Sequence, residues 1–475
     1  MRNTFNSVLR IIFFIEVVMT SENWPDEFIR RMSGWLDAEA PAFFAALAKR
    51  DIGLRLNALR AAPAVLAARL PWETAPIPWC PEGRWLQIED AAAGAHPYHT
   101  AGVYYMQDPS AMAAGVLLDP QPGEWVLDLA AAPGGKATHL AARMQNQGVL
   151  VANEVARNRA PVLAMNLERL GVTNALVTNE TPERLAQRWP GYFDAVLVDA
   201  PCSGEGTFSR DSLAARDWSV AVVQGNARRQ LAILEQAAAL VRPGGRLLYG
   251  TCTFAPEEDE GVIAAFLATR GDFEVADLPA LPGLHSGRPE WIDAPPELAR
   301  VGRFWPHQGP GHGHFYALLR RRGTAPTDLP VIWEDCDVPG RVLRLYREGV
   351  GEALVEPPPE AGLTLTKDDQ LYITPLSPPL RERLRVLRLG WWVGTLRHGQ
   401  VNPNHALAMA LVPDAARQTE TLAVDDERLR AFLAGGFWPD DGPPGFVLVT
   451  VEGFPLGWGK RGGGRLRSRY PVHLR

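Results

Sequence analysis

The sequence is poor in cysteine, in net positive charge and in long apolar runs. Its four cysteines, Cys80, Cys202, Cys252 and Cys336, are scattered over 475 residues. They are too few and too dispersed for a disulfide framework, and none forms the Cys-x-x-Cys pair of a zinc or dithiol site. Reduced thiols in a cytoplasmic protein are the expectation. No apolar stretch approaches the roughly 20 residues of a membrane span. The formal charge of −6 argues mildly against a polyanionic partner, since phosphate binding favours basic proteins. That total averages unlike segments. Residues 459–475 hold Lys460, Arg461, Arg465, Arg467, Arg469 and Arg475 and no acid. Such a block is either a solvated tail or a nucleic-acid surface. Phe454, Pro455, Leu456, Trp458, Tyr470 and Pro471 around it favour a folded segment over a loose tail.

The chain has ample apolar material, 46% against 21% charged, and its length calls for two or three domains. Residues 1–18 read as a mis-assigned extension ahead of a true start at Met19: the apolar run 11–15 is broken by Glu16, and no cleavage site follows. Residues 19–95 suggest a small α+β unit of RNA-binding type, with helical periodicity from Trp24, a mixed stretch at 53–57 and a turn-rich 79–83. Asp108 as N-cap with Pro109 at N1 starts a further helix. Over 96–322 strands alternate with helices. Strands are expected at 125–129, 148–152, 175–177, 195–198 and 246–249, and helices at 136–144, 157–170, 230–241 and 257–269. This predicts βαβ units, a mostly parallel Rossmann-like sheet with helices on both faces, and an antiparallel finish near 315–319. A linker is expected at 323–330. A mostly β domain should follow at 331–475, with one helical stretch around 405–411.

The run Asp128-Leu129-Ala130-Ala131-Ala132-Pro133-Gly134-Gly135-Lys136 joins a strand to a helix. Its small residues let backbone approach a ligand closely. It is neither Gly-x-Gly-x-x-Gly nor a P-loop, so dinucleotide and ATP sites lose ground. The next strand ends in Asn153-Glu154, and a carboxylate there suits ribose hydroxyls. A nucleoside-containing cofactor at the carboxyl edge of the sheet is the result.

Two later strands end in cysteine, at Val198-Asp199-Ala200-Pro201-Cys202-Ser203-Gly204 and Tyr249-Gly250-Thr251-Cys252-Thr253. A lone buried cysteine is usually inert packing. Two at the ligand-binding ends of strands in one sheet point to chemistry. Methylation at C5 of cytosine is one reaction that needs such a thiol, because that carbon is too weak a nucleophile to take a methyl group from a sulfonium unaided. A thiolate adding at C6 turns the ring into an enamine, and loss of the C5 proton and the thiolate restores the base. Asp199 would stabilise the base edge, and the second thiol would serve the elimination.

These segments, with Glu205-Gly206-Thr207-Phe208, Glu257-Glu258, Tyr104-Tyr105-Met106-Gln107-Asp108 and Arg303-Phe304-Trp305-Pro306-His307 to His314-Phe315, resemble the NOL1/NOP2/Sun family of RNA cytosine-5 methyltransferases over residues 97–320. The closing Gly453-Phe454-Pro455-Leu456-Gly457-Trp458-Gly459-Lys460 is similar to its bacterial RsmF-type group, which modifies 16S ribosomal RNA and carries a PUA-like C-terminal domain. The resemblance implies S-adenosylmethionine as cofactor, Cys252 as nucleophile, Cys202 as release cysteine, Asp199 at the cytosine edge and Lys136 in the cofactor and catalytic motif. It places the cofactor on Ala130, Ala131, Ala132, Pro133, Gly134, Gly135, Lys136, Glu154, Arg159, Asn179 and Asp199. DNA cytosine-5 methyltransferases use the Pro-Cys thiol instead, so having both thiols favours RNA. Three departures stand out. Asn179 replaces a frequent aspartate, Gly250 a frequent serine, and Ser209-Arg210 an Arg-Lys pair, the last change bearing on RNA grip.

His96, His99, His307, His312 and His314 match no common zinc spacing, so no metal is expected there and turn-capping or RNA contact is. Arg381, Arg383, Arg385, Arg388, Trp391, Trp392 and Arg397 form either an RNA-facing patch or a solvated face. The expected activity is methylation of 16S ribosomal RNA in the decoding region, by a monomer. The alternatives are the same chemistry on tRNA or 23S ribosomal RNA, and a non-catalytic ribosome-assembly protein that binds RNA.

Overall fold

A computed structural model describes residues 24–49, 51–86, 92–324 and 332–475. The expected extension at 1–18 and most of the expected linker lie outside the described residues. The alternating stretch forms the centre. Strands β1 (Trp125–Asp128), β2 (Val149–Asn153), β3 (Ala175–Thr178), β4 (Phe193–Asp199) and β5 (Val241–Thr251) run parallel in the order β3-β2-β1-β4-β5. Antiparallel β6 (His314–Arg321) lies against β5. Helices α1 (Gly135–Arg143), α2 (Ala160–Arg169), α3 (Pro182–Arg188), α4 (Val220–Leu240) and α5 (Glu260–Thr269) cover the two faces.

Successive side chains of a strand point to opposite faces, and here both faces are apolar. Val126, Leu150, Leu197 and Leu248 pack with Leu140, Leu163 and Leu167 of α1 and α2. Their neighbours Leu127, Val151, Val196 and Leu247 pack with Leu185, Leu234, Ile263 and Phe266 of α3, α4 and α5. Strands buried on both faces read as continuous apolar runs, which is why they were legible. Strand order reverses between β1 and β4, and ligands bind at the carboxyl ends beside such a switch. Among the described residues, no helix is long and apolar enough to cross a membrane.

Around this core the structure departs from expectation in three places. Tyr104–Met106, expected within the catalytic segment, is the edge strand of the N-terminal sheet, pairing with Gly53–Leu56 some 50 residues upstream in the chain. The C-terminal region holds two sheets, one spanning residues 363–403 and one spanning 419–468, and Val386–Arg388 pairs with β3 at the edge of the central sheet. Helices Gly340–Ala353 and Glu427–Leu433 join the expected one, found at His405–Met409. The first was hidden by three glycines, although Val342, Tyr346, Val350 and Ala353 are spaced to bury one helical face. Gly349 is required there, since a Cβ would overlap the Val401 carbonyl.

The basic C-terminal block is folded. Leu466, Ser468 and Tyr470 turn inward while Arg465, Arg467 and Arg469 face solvent. Arg388 corrects the patch reading. It is buried, and its guanidinium donates to the carbonyls of Gly390, Ala164 and Val172, clamping the C-terminal region to α2.

Candidate active site

A cleft of about 1120 Å³ opens where β1, β2, β4 and β5 end. It is lined by Ala130, Ala132, Lys136, Glu154, Arg159, Asp199, Cys202, Cys252 and His314, among others. The four residues expected to act on the base converge there. Cys202 follows β4 and Cys252 follows β5, and their Sγ atoms lie 3.4 Å apart as free thiols. Lys136, at the start of α1, reaches across to Asp199 with Nζ 2.7 Å from Oδ2. Burial opposes the charge on Lys136, but Asp199, with Cys252 and Asp128 adding to it, leaves the ammonium pKa raised. The hydrogen bond with Cys252 and then burial push the Cys202 thiol well above its ordinary value.

The two cysteine loops are tied together from behind. Gly206 N donates to the Cys252 carbonyl at 2.8 Å. The hydroxyls of Ser203 and Thr253 are 2.7 Å apart. Glu258 accepts from Ser203 N at 3.0 Å and from Gln230 Nε2 at 2.7 Å. Glu205 accepts from Phe254 N and from Trp218 Nε1. Thr251 donates to Asp259, which with Glu260 holds the buried guanidinium of Arg303. These bonds fix the thiols on rigid elements. Gly250 has a local reason as well. A Cβ there would stand 2.9 Å from the buried ring of Tyr316.

Sequence reasoning passed over several of these groups. Glu205 and Glu258 were legible only as motif letters. His314, set aside as a turn or RNA contact, lines the cleft, with Nδ1 3.3 Å from Ser110 Oγ. Burial, helped by nearby Lys136, lowers its pKa to about 4, so it is neutral at pH 7. Asp108, read as a helix cap, does accept from Ser110 N. It also holds His312 Nδ1 at 2.6 Å and lies 3.4 Å from Arg210 at the cleft wall.

At the cofactor end, Glu154 Oε1 accepts from Ala156 N at 2.8 Å. Its buried Oε2 has no hydrogen-bond partner among the described residues. That acceptor, with Arg159 Nη1 nearby at 3.6 Å, suits a ribose hydroxyl, and half-exposed Val155 beside it offers an apolar face to an adenine. The residues therefore fit S-adenosylmethionine. Arg159 donates to the Ala132 carbonyl and lies 3.6 Å from Glu154. Five of the expected contacts do not line the cleft: Ala131, Pro133, Gly134, Gly135 and Asn179. Ala131 N and the Pro133 carbonyl are spent on Asn153 and Asn166. The Asn179 amide donates to the carbonyls of Glu154 and Val155, shaping the loop from behind.

Residues 115–320 match the family model for 16S rRNA methyltransferase RsmB/F, and residues 24–109 that for the N-terminal domain of RsmF. Residues 351–411 match the first C-terminal domain of RsmF, and 419–475 its PUA domain. Ribosomal RNA small subunit methyltransferase F of Aeromonas hydrophila is 32% identical, covering 95% of this chain and 97% of its own. The chain belongs to the ribosomal RNA small subunit methyltransferase F family. The protein of that name from Enterobacter is also 32% identical, over 95% of this chain and 96% of its own. Among solved structures, a methyltransferase homolog from Pyrococcus horikoshii is 31% identical, with a TM-score of 0.54 over 68% of this chain and all of that one. NSun6 from Pyrococcus horikoshii with SFG has a TM-score of 0.56 at 22% identity, over 64% of this chain and all of that one, a likeness of fold. The chain is thus an S-adenosylmethionine-dependent methyltransferase.

Proposed function

We propose that this methyltransferase modifies C5 of cytosine in 16S ribosomal RNA near the decoding region, with Cys252 as covalent nucleophile. The observation that carries the reading is the thiol pair, 3.4 Å apart beside the Lys136–Asp199 ion pair in one cleft. A packing role does not call for two thiols facing a cleft at the ends of adjacent strands. S-adenosylmethionine, bound against Glu154, supplies the methyl group.

Cys252 Sγ adds to C6 of the extruded base, and the pair of electrons displaced makes C5 nucleophilic. Asp199 meets the N3/N4 edge and hands N3 a proton as the thiolate's negative charge moves onto the ring, and Lys136 stabilises the carboxylate left behind. After methylation a base takes the C5 proton, its bond pair reforms the C5–C6 double bond, and the Cys252 thiolate leaves C6. Cys202, beside the departing sulfur, serves that elimination. Arg465 and Arg467, exposed around Phe437, form a basic face for the RNA backbone. The enzyme acts as a cytoplasmic monomer.

The test is to incubate purified protein and S-adenosylmethionine with 30S subunits lacking the modification, then map 5-methylcytosine in the 16S RNA. Modification near the decoding site is expected. Modification of tRNA or 23S RNA alone would keep the chemistry and overturn the substrate; 5-methylcytosine in no RNA would overturn both.

A further inference from the structure

Away from the cleft, a second group of ligating side chains joins two parts of the chain. Cys80 and Glu82 lie on the N-terminal strand Cys80–Leu86, and His139 lies on α1, three residues beyond Lys136. Cys80 Sγ is 3.4 Å from Glu82 Oε2, and His139 Nε2 is 3.7 Å from the same oxygen. One ligand atom from each of the three lies within 4.8 Å of the others. His139 is 1% exposed, yet neither ring nitrogen has a hydrogen-bond partner among the described residues. A buried imidazole with both nitrogens unsatisfied is costly. Its Nδ1 packs against Gly115, where even a Cβ would overlap the ring, so Nε2 is the nitrogen that faces Cys80 and Glu82.

We propose that Cys80, Glu82 and His139 bind a zinc ion that fastens the N-terminal sheet to the helix carrying Lys136. Zinc held tetrahedrally, at about 2.3 Å from sulfur and about 2.0 Å from nitrogen and oxygen, sets ligand atoms roughly 3.3–3.5 Å apart. The two measured separations already approach this spacing. One thiolate, one imidazole and one carboxylate select zinc over magnesium or calcium, which take oxygen ligands. A water completes the fourth position from the side of Glu82, whose side chain is 15% exposed. Binding forms a Zn–S bond and releases the Cys80 thiol proton to solvent. Arg143 Nη1, 3.8 Å from Glu82 Oε1, holds the other carboxylate oxygen and leaves Oε2 for the metal. Buried Arg55 is committed to Gln107, Gly135 and Thr138. No spacing rule exposes this site, because Cys80 and His139 are 59 positions apart and only the sheet-to-helix packing unites them.

The test uses the full chain carrying Cys202→Ser, Cys252→Ser and Cys336→Ser, which leaves Cys80 as the sole thiol. The protein is stripped with a chelator and titrated with Co²⁺. One equivalent should bind with a thiolate-to-cobalt charge-transfer band, and stoichiometric Zn²⁺ should abolish that band and raise Tm. His139→Gln in the same background should weaken Co²⁺ binding at least tenfold. Absence of the band, or a band and affinity unchanged by His139→Gln, would overturn the site.

Discussion

Glu258 sits behind both cysteine loops, and its burial makes the stability of this region depend on pH. Burial pushes its carboxyl up to about 7 from an ordinary 4.5, against the opposing hydrogen bonds from Ser203 and Gln230. An acid with a raised folded-state pKa binds its proton more tightly when folded. Its contribution is therefore complete below pH 4.5, declines as pH rises, and levels off above about 7. A difference of about 2.5 pH units at about 1.4 kcal/mol each corresponds to roughly 3.5 kcal/mol over the full range. Glu258→Gln keeps the shape and removes the titration. The variant carries a constant offset, because its amide must rearrange against Gln230, whose Oε1 has no partner of its own. The pH-dependent part of the difference isolates Glu258. Urea unfolding of both proteins at pH 4.5, 5.5, 6.5 and 8 measures it. The native protein should lose about 3 kcal/mol relative to the variant between the first and the last point. A difference constant across the range, or one that grows in favour of the native protein, would refute the reasoning.

Lys136→Met leaves Asp199 without its 2.7 Å partner. It should lower kcat by about 10²–10³-fold while S-adenosylmethionine still binds, measured by single-turnover methyl transfer beside calorimetry. Gly250→Ala presses a Cβ onto the Tyr316 ring and should destabilise by about 1–3 kcal/mol, read from urea unfolding; an unchanged midpoint would show that the ring yields freely. Arg465→Glu with Arg467→Glu should weaken RNA binding and flatten the slope of log K against log salt by about 2, leaving the fold intact by circular dichroism.

Much of the catalytic core was legible because its signals are local. Asp199, Cys202 and Cys252 stand where apolar strands stop, and an all-buried strand declares its end by the first polar or Gly-Pro residue. The same logic points to Glu154, which lines the cleft. What was illegible depends on distance or on mixed signals. Nothing near Tyr104 announces Gly53–Leu56 as its partner, and Arg388 looks like any surface arginine until the carbonyls of α2 are placed around it. Gly340, Gly349 and Gly351 disguised a helix whose buried face was correctly spaced. Asn179 occupies a position where resemblance implied a cofactor contact, yet its amide is consumed by the backbone of the neighbouring loop. His314 and Glu258 acquire roles only from burial, which a sequence does not display.

The claim that Cys252 attacks the base is tested most directly by trapping. Cys202→Ala protein, incubated with S-adenosylmethionine and substrate RNA, should accumulate a protein–RNA adduct that survives denaturant. Digestion and mass spectrometry should place the cross-linked base on Cys252, and the Cys202→Ala, Cys252→Ser double variant should form none. An adduct that persists in the double variant, or full methylation by Cys252→Ser protein, would contradict the account.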